Sequence, residues 1–139
     1  MAFEWKDRYK LDIDVIDRQH RKLFEIGARV YDLAILDDSY DHFDEIMGLL
    51  SELLDYAEYH FAYEEELMKK YNYHDRRDQE QEHEFYTKRI RSASPEEIDN
   101  DQNKTIVQIV DFLSEWISSH ILLSDRKYAE YFKEKGIVV

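Results

Sequence analysis

The groups able to do chemistry in this chain are imidazoles and carboxylates that fall where apolar side chains are expected. His20, His60, His83 and His120 each sit on the apolar stripe of a different helical stretch, and Glu64 follows His60 by one turn. A carboxylate turned toward a core is costly unless paired or bound to a metal, and an inward imidazole needs partners for its ring nitrogens. One such histidine alone is ordinarily a hydrogen-bonded core residue, and one such glutamate ordinarily pairs with an arginine. No arginine lies on these stripes, and four helices each offering an imidazole is poorly explained by independent packing. The convergence predicts a metal site. Imidazole and carboxylate donors without thiolate suit iron, manganese or zinc, and inward side chains of this kind build binuclear sites inside helical bundles. Spacing points to two ions without choosing the element.

Asp125 follows His120 by five residues. On a regular helix that turns it about 140° away from His120, so both reach one point only if the helix bulges between them. Periodicity alone favours a plainer role, a cap for the last short helix.

The elements that must position these groups are long helices. From Asp17, the residues His20, Phe24, Gly27, Tyr31 and Ala34 recur at spacings of three and four until Asp37-Asp38-Ser39 breaks the pattern. A second helix is expected from about Asp41 to Tyr71, with Ile46, Leu50, Leu53, Ala57, His60, Glu64 and Leu67 on one line. Asn72-Tyr73-His74-Asp75 reads as a turn with Asp75 as N-cap. The third helix, about 76–92, aligns Gln79, His83, Tyr86 and Ile90. Ser94-Pro95-Glu96-Glu97 has the pattern of a helix start. The fourth stripe is Ile106, Ile109, Leu113, Trp116 and His120, and a short helix with Tyr128 and Tyr131 ends at Gly136. Residues 1–16 read as an arm that lays Phe3, Trp5 and Tyr9 on the bundle. The expectation is one all-α domain over residues 1–139, an up-down-up-down four-helix bundle over 17–135 with that arm and a short C-terminal helix.

Composition agrees and excludes other classes. Three Gly and one Pro among 139 residues favour long helices with short turns. A net charge of −13 disfavours nucleic acid and anionic membrane surfaces as partners. The absence of cysteine excludes disulfides and thiolate ligation. The N-terminus lacks the apolar stretch of a signal peptide, and no window approaches the length of uninterrupted apolar sequence needed to cross a bilayer. A cytoplasmic protein is expected. There is no Gly-rich phosphate loop and no nucleophile with an activating base, so turnover of an organic substrate has no support.

Asp17-Arg18-Gln19-His20, the block His60-Phe61-Ala62-Tyr63-Glu64-Glu65-Glu66-Leu67-Met68, and Trp116-Ile117-Ser118-Ser119-His120-Ile121 followed by Asp125 resemble the hemerythrins, especially the single-domain bacterial ones. The likeness takes in Trp5, Tyr9 and Tyr128-Ala129-Glu130-Tyr131, nearly the whole chain. It implies a non-heme centre of two iron ions, bridged by carboxylates and an oxo or hydroxo group, that binds dioxygen reversibly. Carried over by position, His20 and His60 would ligate one iron, His83 and His120 the other, and Glu64 and Asp125 would bridge them. That implication replaces the cap reading of Asp125.

One position departs from the family pattern. The third helix usually carries H-x3-H, whereas here Gln79 stands four residues before His83. Gln79 would bind iron weakly through its amide oxygen, hold a water, or leave the position open. An open position would favour oxidase or peroxidase chemistry, with peroxide or other small ligands as guests; iron storage or handling is a further alternative. Trp116, Phe24, Phe61 and Ile117 are expected to line an oxygen pocket, and Tyr128 to hydrogen-bond near the bridges. His42 and His74 lie off the stripes and read as solvated.

Overall fold

The stripes fold as helices that bury them against one another. The computed structural model describes residues 2–36, 42–93 and 102–139. Its helices are α1 (Asp14–Ala34), α2 (Phe43–Lys70), α3 (Arg76–Arg91), α4 (Gln102–His120) and α5 (Arg126–Glu134), with a π-helical turn, Ile121–Asp125, joining the last two. Successive long helices pack on one another and α4 closes on α1, giving an all-α four-helix bundle. Among the described residues there is no strand.

Most of the apolar core fills one end, and Ile16, Met68, Tyr128 and Phe132 are buried beyond the inward polar residues at the other. Leu23, Ile26 and Val30 of α1 meet Ile46, Leu50 and Leu53 of α2, Ile90 of α3, and Ile106, Ile109 and Leu113 of α4, all buried. Burying a side chain of this size contributes about 1.5–3 kcal/mol.

Helix α1 begins three residues before the predicted Asp17. The buried Asp17 carboxylate accepts the backbone N–H groups of Leu11 (2.8 Å) and Asp12 (3.1 Å), which turns the chain into the helix earlier. Asp12 takes φ +62° in that turn, a conformation Asp tolerates better than most residues. The arm carries a 3₁₀ turn, Asp7–Tyr9, and clusters Phe3, Trp5 and Tyr9 around Phe24 of α1. Phe3 covers Gly27, where any Cβ would stand 2.5 Å from the ring.

Asn72 (φ 55°) ends α2 in the left-handed conformation. Tyr73 N–H donates to Met68 O and Asn72 N–H to Lys69 O, closing the last carbonyls. Gly136 (φ 68°) closes α5 in the same way, with Ile137 N–H on Phe132 O. Asp75 stands at the N-cap position of α3, but its carboxylate makes no capping hydrogen bond, contrary to the expectation; it lies 3.4 Å from His74 instead. The breaks expected at Asp37-Asp38-Ser39, the start at Asp41 and the Ser94-Pro95-Glu96-Glu97 signal lie outside the described residues.

One stretch, Lys104–Glu134, is long and apolar enough, by length and composition alone, to cross a membrane, although polar residues such as Asp111, Glu115 and His120 interrupt it. The physical reason is its core stripe: Ile106, Ile109, Val110, Leu113, Ile117 and Ile121 are turned into the bundle.

Candidate metal centre

At the polar end, two groups of side chains gather: His20, His60, Glu64 and Asp125, and Glu64, His83, His120 and Asp125. Within each group the donor atoms lie within 4.8 Å of one another. All six residues are buried, and the two carboxylates belong to both groups. Helix α1 supplies His20, α2 the His60 and Glu64 pair one turn apart, α3 His83, and α4 His120. The π-helical turn supplies Asp125. Bonding from i to i+5 stacks residues five apart, so the turn removes the offset that a regular helix would impose between His120 and Asp125. His120 Nε2 stands 3.1 Å from Asp125 Oδ1. The reading of Asp125 as a cap for α5 is thereby corrected; its side chain makes no capping bond.

The ring nitrogens are sorted by their outer partners. His60 Nδ1 donates to Gln19 Oε1 (2.7 Å), His83 Nδ1 to Glu65 Oε2 (2.7 Å), and His120 Nδ1 to Glu82 Oε1 at a longer 3.4 Å. A carboxylate only accepts, so Nδ1 of His83 and His120 carries the proton and a neutral ring turns a bare Nε2 inward. Inside, His60 Nε2 lies 2.9 Å from Glu64 Oε1, and His20 Nε2 3.1 Å from Asp125 Oδ2. Neither approach has the alignment of a hydrogen bond: His20 Nε2, His60 Nε2, Glu64 Oε1 and Asp125 Oδ2 are buried without a hydrogen-bond partner. Lone pairs converging without protons between them are what a cation fits.

Burial raises the Glu64 carboxyl, and the charge on Asp125 raises it further; the surrounding imidazoles pull it back to about 7. Burial opposes protonation of His120, but Asp125, Glu82 and Glu64 overcome it and lift the ring to about 10. Burial also opposes ionisation of Asp125, yet His120 and His20 hold it well below the usual carboxylate range. Desolvation lowers His60 to about 4. Without metal the centre therefore keeps a cationic His120 against an ionised Asp125.

The remaining predicted residues fall as follows. Tyr128 is buried and its hydroxyl donates to Glu64 Oε2. Phe61 stacks on His83 (4.0 Å between centroids, 7° between planes) and Trp116 on His120 (4.8 Å, 11°). Ile117 is buried on α4, one turn before the π-helical turn begins. The aromatic contacts of Phe24 go to Phe3, Trp5 and Tyr9, so its ring serves the arm. Gln79 is 2% exposed; its Nε2 donates to Asp125 Oδ1 at 3.2 Å while its Oε1 has no partner. The His74 side chain is 68% exposed. The His42 side chain, expected to be solvated, is only 15% exposed and lies 3.2 Å from Glu45 one turn along α2.

Gln19, Glu65 and Glu82 escaped the sequence reading. A signal was available: each inward histidine needs an acceptor at its outer nitrogen, and Glu65 and Glu82 directly follow Glu64 or precede His83.

Comparison with known proteins agrees with this geometry. Residues 11–132 match the family described as "Hemerythrin HHE cation binding domain". The chain is 41% identical to a bacteriohemerythrin of Clostridium acetobutylicum over 128 residues, covering 92% of this chain and 99% of that one. A bacteriohemerythrin of Stenotrophomonas maltophilia is 32% identical over 93% of this chain and 80% of its own length. A hemerythrin-like protein of Naegleria gruberi is 27% identical, with coverage of 91% and 90%. A family match across both groups of donors, together with a relative of this identity along its whole length, means that the chain belongs to the hemerythrin family of cation-binding domains.

Proposed function

We propose that this chain holds two iron ions and binds dioxygen reversibly, in storage, delivery or sensing, as a single cytoplasmic domain. Membership of the family makes it a protein of the di-iron, oxygen-binding type. The observation that carries the finer reading is the pair of donor groups sharing Glu64 and Asp125. His20 and His60 would hold one ion, His83 and His120 the other, with the carboxylates between them. When bound, the iron supplies the electrons through which dioxygen is held.

The chain's own residues do the rest. The Nδ1 partners fix three of the rings with Nε2 inward. Tyr128 keeps a hydroxyl proton at Glu64, and Phe61, Ile117 and Trp116 provide apolar walls that exclude water. The test is reconstitution with ferrous iron followed by absorption spectroscopy. An oxygen-dependent band that disappears on deoxygenation is expected, and a spectrum indifferent to oxygen would end the proposal.

Gln79 supports a second reading. Its amide nitrogen is engaged with Asp125 and its oxygen is unpartnered, so one ion would meet an amide where an imidazole would bind firmly. Such a centre favours peroxide reduction or oxidase turnover over reversible binding. Gln79→His separates the two readings: peroxide turnover with an electron donor should fall and oxygenated lifetime rise. If both stay at the parent's level, Gln79 does not tune the chemistry.

A further inference from the structure

Gln79 stands between the centre and the surface. On its outer side lies a cleft of about 70 Å³, lined by Tyr73, Asp75, Asp78, Glu82 and Lys127 together with Gln79 itself. That is room for about two waters. On the inner side, the Gln79 amide touches Asp125, and Glu82 accepts from His120 Nδ1, so the cleft floor is one hydrogen bond from the metal-facing groups. The six donor residues are at most 3% exposed, so an ion must reach them through some such thin place.

We propose that this cleft is the port through which divalent metal ions reach and leave the centre, with Asp75 and Asp78 collecting the cation and the unpartnered Gln79 oxygen relaying it inward. The inference rests on the two-metal reading. Three carboxylates against the single ammonium of Lys127 give the cleft a negative potential that draws cations and repels anions. The Tyr73 hydroxyl senses the same field: burial and the charges of Asp75, Asp125, Asp78 and Glu82 push it up to about 12. Carboxylate and amide oxygens suit a hard divalent ion. A lone amide oxygen, a poorer donor than the imidazoles beyond it, holds the ion loosely enough to pass it on. Gln79 lines the cleft while its Oε1 is buried and without a hydrogen-bond partner, so the side chain offers an unused oxygen behind the cleft wall.

The test is stopped-flow loading of the metal-free full-length chain with Co²⁺, followed by its visible absorption, at low and high salt. Asp78→Asn should slow loading roughly threefold to tenfold at low salt and lose that effect at about 1 M salt, where the screening length is about 3 Å. Lys127→Gln should speed it. Gln79→Leu, which keeps the bulk and removes the amide oxygen, should slow loading at both salt concentrations. The exposed acid Glu25 on α1 provides a control: Glu25→Gln should load at the parental rate. Parental rates in all three cleft variants, or equal slowing by Glu25→Gln, would overturn the port while leaving the two-metal reading intact. A parent chain that takes up no cobalt at equilibrium would overturn both.

Discussion

His83 and His120 face each other Nε2 to Nε2 at 3.1 Å, while the outer nitrogen of each donates to a carboxylate, Glu65 and Glu82. Two neutral rings in that state would point lone pairs at one another. A proton relieves the repulsion when no metal is present, and His120 holds it: burial opposes the charge, but Asp125, Glu82 and Glu64 outweigh burial. A metal ion relieves it without a proton.

Metal binding should therefore displace protons. At pH 7 the metal-free centre carries one on His120, held to about 10, and a fractional one on Glu64, at about 7. Roughly one to two protons per chain should leave on saturation, seen as a colour change in a weakly buffered indicator. Saturation with no release would contradict the assignment.

The metal-free protein should lose stability between pH 7 and 10. His120 rises from 6.5 to about 10 on folding, so its contribution is fully present below about 6.5 and lost as pH climbs through 10. The loss should be a few kcal/mol. Metal should flatten this limb. Below neutrality two groups oppose each other: His60, lowered to about 4, costs stability as pH falls, whereas Glu64, raised to about 7, returns it. Thermal melts of both forms across this range provide the check.

Tyr128→Phe should leave the bundle folded and remove the donor at Glu64. A loss of about 1–3 kcal/mol in the metal-free protein is expected for an unsatisfied buried acceptor. Extraction of metal by a chelator should become faster. Unchanged extraction would mean that the hydroxyl only fills space.

Glu65→Gln should weaken metal binding about tenfold to a hundredfold, because an amide can present its NH₂ to His83 Nδ1 and let the ring's proton move to the inward nitrogen. Competition with a chelator measures it.

Gly27→Ala should drive a methyl into the Phe3 ring, 2.5 Å from where the Cβ would stand. The arm is expected to lift, with a destabilisation of about 1–3 kcal/mol. Increased proteolysis near the N-terminus and altered Trp5 emission would report it.

The fold class could be read because the helical stripes are long and interrupted by few breakers. Convergence of His20, His60, Glu64, His83 and His120 followed from those same stripes. Asp125 was legible only by resemblance, since the π-helical turn that brings it to His120 leaves no mark in periodicity. The start of α1 was missed because Asp17 accepts from the N–H groups of Leu11 and Asp12, a local bond that reaches back beyond the two- or three-residue span of an N-cap. His42 looked solvated because it stands just before α2 and off the stripe, and only the folded chain shows its cover.

The wide turn at Ile121–Asp125 also re-phases everything after it. Tyr128 and Phe132 are both buried, and Tyr128 reaches Glu64, because the helix has already slipped by one position before α5 begins. Deleting one residue there would restore a regular helix and rotate this tail by about 100°. Asp125 would swing away from the imidazoles while Tyr128 left Glu64. The C-terminal segment and the donor cluster thus share one register, and neither can be edited in length without the other.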